Sequence, residues 1–205
     1  KDSIYLFFQH IPVPEYKDLI DKKVAGDKNE EVSSPIYNSG FYKFLKEKLP
    51  NNLGEFRVPL GTTETMRIGK DITLVSYGST LRIVLEAAEE LQKMSIDAEV
   101  IDIQSLIPFD LHNEIRKSVK KTNRLLIIDE DVPGGGTAYI LNELIEKQNI
   151  FPLLDSKPKT LSAKAHRPAY GSDGDYFSKP NLDDIIEATY EIIHEFDPKK
   201  FPKLN

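Results

Sequence analysis

Apolar positions along the chain fall into two kinds of run. Ile72-Thr73-Leu74-Val75-Ser76-Tyr77, Ala98-Glu99-Val100-Ile101-Asp102-Ile103 and Arg124-Leu125-Leu126-Ile127-Ile128-Asp129 are short and dense in Val, Ile and Leu, as strands buried on both faces are. A fourth strand is predicted around Lys159-Thr160-Leu161-Ser162-Ala163. Between these runs apolar residues recur at helical spacing. Leu81, Val84, Leu85, Ala88 and Leu91 mark a first helix, which Ser79 and Thr80 are placed to cap. Pro108 and Asp110 open a second, with Asp110 as N-cap and Leu111, Ile115 and Val119 on one face. Thr137 starts a third, carrying Ile140, Leu141, Leu144 and Ile145. Asn181 caps a last helix, with Asp184 three residues on and Ile185, Ile186, Thr189, Ile192 and Ile193 facing in. Strand and helix alternate four times. The pattern predicts an α/β fold, a three-layer α/β/α arrangement around a mostly parallel sheet of about five strands.

The first third of the chain reads differently. Tyr5-Leu6-Phe7-Phe8-Gln9-His10 is an apolar run stopped by Pro12 and Pro14, as a buried strand would be. Residues 15–56 mix a charge-rich stretch with a short amphipathic one, in which Phe41, Phe44, Leu45 and Leu49 share a helical face that Pro50 ends. Three zones result: a strand over 1–14, a linker or insertion with a short helix over 15–56, and the regular domain over 57–205.

Composition narrows the function classes. The chain has 205 residues, enough to bury a core without disulfides or metals. It has no cysteine, which removes thiolate zinc sites, iron–sulfur clusters and cysteine nucleophiles, and suits a cytoplasmic, reducing setting. A net charge of −6 argues against a nucleic-acid partner. No run approaches the roughly 20 apolar residues of a membrane helix, so no membrane partner is expected.

Two segments are the candidates for chemistry or contact. Asp129-Glu130-Asp131-Val132-Pro133-Gly134-Gly135-Gly136-Thr137 joins a buried strand to a helix, a place where open α/β sheets favour ligands. Three glycines let backbone approach an anion at the helix start. Three carboxylates would repel that anion, however, and the spacing is neither a dinucleotide fingerprint nor a phosphate-binding P-loop. The alternatives are an anion- or nucleotide-binding module and a tight packing turn. The second segment, 161–181, is too long for a connection with no task. It carries His166, Arg167, Tyr170, Asp173, Asp175, Tyr176 and Phe177, residue types found at contact surfaces, and the alternatives are a docking surface and a self-packed loop covering a sheet edge. Its acids are too few for a calcium loop. His10, His112, His166 and His194 never fall at metal-ligand spacing on one helix, and His112 and His194 are expected on polar helix faces. Gly78-Ser79-Thr80-Leu81 lacks the flanking glycines of a nucleophile elbow.

Several stretches, in order, resemble one family. Gly69-Lys70-Asp71-Ile72-Thr73-Leu74-Val75-Ser76-Tyr77-Gly78-Ser79 resembles the opening of the transketolase C-terminal domain. More narrowly, it resembles the beta-type half of the thiamine-dependent 2-oxo acid dehydrogenase first component. Val100-Ile101-Asp102-Ile103-Gln104-Ser105-Leu106-Ile107-Pro108-Phe109-Asp110 and Ser118-Val119-Lys120-Lys121-Thr122-Asn123-Arg124-Leu125-Leu126 continue the likeness, as do Asp129, Glu130 and the glycine loop. Tyr5-Leu6-Phe7-Phe8-Gln9 resembles the last strand of the preceding pyrimidine-binding domain, which makes 1–14 the tail of a truncated domain. Residues 170–181 resemble a variant with alpha and beta halves fused. The sequence departs from the family at Gln9, where Glu is usual, at Asn123, where Gly is usual, and in the length of the segment 16–52.

The resemblance implies thiamine diphosphate and magnesium in an intact enzyme, held between two domains that this chain does not contain. It implies no catalytic, cofactor or metal residue in these 205, and a fragment inactive by itself. The domain's expected roles are homo-oligomeric assembly, contact with other domains and subunits of the dehydrogenase, and docking of the acyltransferase component. The expected intact reaction is oxidative decarboxylation of a 2-oxo acid with acyl transfer to a lipoyl group, branched-chain acids first and pyruvate next. The expected contact residues are Asp129, Glu130, Gly134, Gly135, Gly136 and those of the segment 161–181.

Overall fold

A computed structural model describes residues 58–167 and 174–203, so the strand and linker expected over 1–56 lie outside the described residues. Five strands form one sheet: β1 (Glu64–Arg67), β2 (Ile72–Ser76), β3 (Ala98–Asp102), β4 (Leu125–Ile128) and β5 (Lys159–Leu161). Their order is β1-β3-β2-β4-β5. β3, β2, β4 and β5 run parallel, and β1 pairs antiparallel with β3. The helices are α1 (Thr80–Lys93), α2 (Glu114–Thr122), α3 (Gly136–Asn142, continuing as a π-helical turn over Glu143–Lys147), α4 (Gly174–Ser178) and α5 (Leu182–Phe196). The expected three-layer α/β/α fold is present.

Two cores sandwich the sheet. On one face Val84, Ala88 and Leu91 of α1 and Ile185, Ile192 and Ile193 of α5 pack on Ile72, Leu74 and Val100. On the other, Ile115 and Val119 of α2 and Ile140 and Leu144 beyond β4 pack on Val75, Ile101, Leu125 and Ile127. β2 lies in the middle and is wholly buried. Its one awkward side chain on the α2 side, Thr73, is satisfied there by hydroxyl contacts with Ser118 Oγ (2.6 Å) and Thr122 Oγ1 (2.7 Å).

β1 has no counterpart among the strands expected from sequence. Its four residues are exposed or half-exposed and show no apolar alternation. Pairing holds it instead, helped by Arg67, which reaches Asp97 (3.1 Å) and the Ala98 carbonyl. The next residues turn at Gly69, whose amide donates to Glu99 Oε2 (3.1 Å). A Cβ at Gly69 would overlap the backbone of Ala98 and Glu99.

Other expectations are corrected at element ends. α2 begins at Glu114, not at Pro108. Asp110 lies outside the helix but still caps it: its carboxylate accepts from the amides of Glu114 (2.9 Å) and Ile115 (3.0 Å). Leu111 and His112 therefore fall in the preceding turn, and Leu111 is 59% exposed rather than inward. Ser79 stands at the N-cap of α1 but makes no side-chain cap bond, while the Thr80 hydroxyl donates to the Tyr77 carbonyl (2.8 Å). β5 stops at Leu161, and α3 starts one residue early, at Gly136. Asn181 and Asp184 do form a reciprocal capping box.

Candidate partner-docking surface

After β2 the chain crosses to α1 on one face, and after the neighbouring β4 it crosses to α3 on the other. The gap at the carboxyl ends of β2 and β4 is where such sheets usually take ligands. In this protein its own side chains fill the gap. The Tyr77 hydroxyl donates to Asp129 Oδ2 (2.7 Å), and Asp129 Oδ1 accepts from the Glu130 amide (2.7 Å). Asp129 is only 3% exposed. Burial, the bond to Asp129 and the nearby carboxylates of Asp131 and Glu130 push the Tyr77 hydroxyl well above its ordinary value, so it stays a proton donor. Gly136 closes over this pair. A Cβ there would overlap Asp129 Oδ2 and stand 2.7 Å from the Tyr77 hydroxyl.

The glycine loop is likewise self-packed. Asp131 accepts from the Val132 amide (2.8 Å) and, through Oδ2, from the Gly136 amide at the start of α3 (3.1 Å). A Cβ on Gly135 would run into that carboxylate. Gly134, at φ +87°, makes the turn. An anion approaching the helix start would meet a carboxylate already bound to one of its donors. This geometry counts against the anion-binding alternative and gives the glycines a packing role. Among the described residues no three His, Asp or Glu side chains converge as metal ligands.

The outer rim of the loop has a different character. Glu130, Val132, Pro133 and Gly134 are exposed. The Ala163 amide donates to the Asp131 carbonyl (2.9 Å) and the Lys164 amide to the Ser178 carbonyl (2.9 Å), which brings the segment after β5 and α4 alongside. Lys179 closes the circuit by an ion pair to Glu130 (3.2 Å). Phe177, 57% exposed, carries the Lys164 ammonium 3.5 Å from its ring centroid and the His166 ring at 5.7 Å. Tyr176, 56% exposed, donates to Asp183 Oδ2 (2.6 Å), and its carbonyl accepts from Asn181 Nδ2 (3.0 Å). Two aromatic side chains are thus tied to charged neighbours while remaining more than half exposed.

Of the residues singled out from sequence, Glu130, Gly134, His166, Tyr176 and Phe177 share this surface. Arg167 is exposed beside His166. Asp129, Gly135 and Gly136 serve inward packing instead. Tyr170, Asp173 and the side chain of Asp175 lie outside the described residues. Tyr77, Lys164 and Lys179 join the site without a mark of their own in the sequence. The two lysines bracket the aromatic pair in the segment already marked as overlong, which was the available signal.

Residues 61–179 match the family model of the transketolase C-terminal domain. The chain belongs to this family. Among curated relatives of this transketolase C-terminal domain is the pyruvate dehydrogenase E1 component subunit beta of Mesostigma viride, 35% identical over 149 residues, which cover 73% of this chain and 44% of that protein. Another is the acetoin:2,6-dichlorophenolindophenol oxidoreductase subunit beta of Bacillus subtilis, 36% identical over 174 residues, 80% of this chain and 48% of that one. The chain thus spans less than half the length of these relatives. A split-gene transketolase solved as an inactive beta4 tetramer superposes with a TM-score of 0.54 at 22% identity, over 68% of this chain and 44% of that one, which shows the fold. No helix among the described residues is long and apolar enough to cross a membrane.

Proposed function

We propose that this chain is the C-terminal assembly and docking domain of the beta-type half of a 2-oxo acid dehydrogenase. In its intact form that enzyme decarboxylates a 2-oxo acid on thiamine diphosphate with magnesium and passes the acyl group to a lipoyl arm of the acyltransferase component. The domain's own part is contact with neighbouring subunits and with the acyltransferase. Pyruvate moves ahead of the branched-chain acids as the substrate, because the relative of Mesostigma viride is named for pyruvate and that of Bacillus subtilis for acetoin.

One observation carries the docking role: the crevice that would take a small ligand is filled by Tyr77 and Asp129, while Tyr176 and Phe177 are anchored yet open to solvent beside it. Exposed, immobilised aromatic rings lose little freedom on burial and are favoured contact anchors. The test is capture of the chain by the acyltransferase's peripheral subunit-binding domain. Tyr176→Ala combined with Phe177→Ala should abolish capture, and unchanged capture would remove the docking role from this surface. Calorimetry with thiamine diphosphate should give no heat of binding. Tight binding would restore a cofactor site to this chain.

A further inference from the structure

β5 is the last strand of the sheet on its side, and its outer edge is open among the described residues. The Asp129 amide donates to the Leu161 carbonyl and the Ala163 amide to the Asp131 carbonyl, so Leu161 and Ala163 turn their backbone groups inward. By the alternation of a parallel ladder, the amide and carbonyl of Thr160 and the amide of Ser162 point away from β4. None of these groups has a partner among the described residues. The edge forms the floor of a groove of 630 Å³, walled by Leu141 of α3 on one side and by α5 on the other. The α5 wall presents Asp184, Glu187 and Glu191. Lys159 is already paired to Glu191, which leaves Lys157 as the one remaining lysine of the lining against Asp184 and Glu187.

We propose that this groove accepts an extended segment of a partner protein as an added strand, with basic and apolar residues in alternation. The backbone ladder supplies the pairing. Successive side chains of an added strand point to opposite faces, so one set meets the carboxylates of α5 and the other meets Leu141. A second copy of the chain is the poorer occupant. Edge-to-edge pairing of two β5 strands about a two-fold axis would place α5 beside its symmetry mate, acidic wall against acidic wall.

The probe is the capped peptide (Lys-Val)4, titrated into the chain by calorimetry and followed by the amide resonances of Thr160 and Ser162. Those amides should shift and exchange more slowly with solvent. (Glu-Val)4 should bind at least about tenfold more weakly, as should (Lys-Val)4 with alternate backbone amides N-methylated, which keeps the charge and removes the pairing. Glu187→Lys should weaken the parent peptide to a similar degree. Thr160→Pro removes only an outward amide, which an edge strand tolerates. If that variant loses its fold, the methylated peptide makes the same test. Equal binding of the lysine and glutamate peptides, equal binding of the methylated one, or protection of Thr160 by self-association would each overturn the proposal.

Discussion

The Tyr77 hydroxyl and Asp129 Oδ2, 52 residues apart in sequence, meet at 2.7 Å across the carboxyl ends of β2 and β4. That bond occupies the place where an open α/β sheet would otherwise hold a ligand. Tyr77→Phe should therefore destabilise the domain by about 1–3 kcal/mol, because a buried carboxylate loses a donor. The wild-type hydroxyl is held above its ordinary value of about 10. A raised value contributes stability that is full below pH 10 and is lost as pH rises toward the folded value. Urea midpoints measured from pH 8 to 11 should show the gap between wild type and Tyr77→Phe narrowing above pH 10.

The glycines of the domain should separate by their surroundings. Gly69→Ala places its methyl against the backbone of β3 and should cost about 3 kcal/mol. Gly136→Ala meets the pinned Asp129 and Tyr77 and should cost about 2 kcal/mol. Gly134→Ala and Gly78→Ala have open space around the new methyl and lose only through positive φ, about 1 kcal/mol each. Thermal or urea unfolding of the four variants checks the ranking.

Asp110 holds the start of α2 from outside the helix and also accepts from Gln148 Nε2 (3.0 Å). Asp110→Ala leaves two helix amides and a side-chain amide without an acceptor in a buried site. A loss of about 2–3 kcal/mol is expected, with amide exchange rising first at Glu114 and Ile115.

Glu99 is largely buried, and burial alone would raise its carboxyl value. Lys121, Ser118 and the Gly69 amide outweigh that and hold it below the ordinary range. A lowered carboxyl contributes stability present above its unfolded value and lost as pH falls through its folded one. Lys121→Met should reverse the balance, so that the acid limb of unfolding moves to higher pH. An unmoved limb would show that Lys121 is not what keeps Glu99 charged.

What sequence made legible was whatever burial writes into it. Leu125-Leu126-Ile127-Ile128 announces a strand because both its faces are covered, and α5 is marked by its isoleucine spacing and its Asn181–Asp184 box. β1 was silent because its place depends on backbone pairing with β3 rather than on apolar content. The start of α2 was misplaced because Asp110 has a capping residue's chemistry but acts from four residues before the helix, across a turn that includes Asn113 at φ +54°. In the candidate site, the run of glycines was visible, but the reason for it was not. Nothing local ties Gly136 to Tyr77. The three acids and the glycine spacing point toward a packed turn over an anion cradle, and Asp131 on the Gly136 amide is the physical form of that preference.

The far end of the last helix has a practical side. α5 runs from its capping box to Phe196, whose ring lies 3.4 Å from the Arg124 guanidinium just before β4 begins. The following residues fold back, with Tyr190 donating to the Pro202 carbonyl (2.8 Å) and His194 Nδ1 2.6 Å from the Phe201 carbonyl. Pro202 therefore lies back alongside Tyr190, and it is the turn just after Phe196 that marks the end of α5 away from Tyr176 and Phe177. A fluorophore or surface linkage made through Lys199, exposed in that turn, would leave from the end of α5 away from the aromatic pair, so immobilised protein would present Tyr176 and Phe177 to whatever flows past.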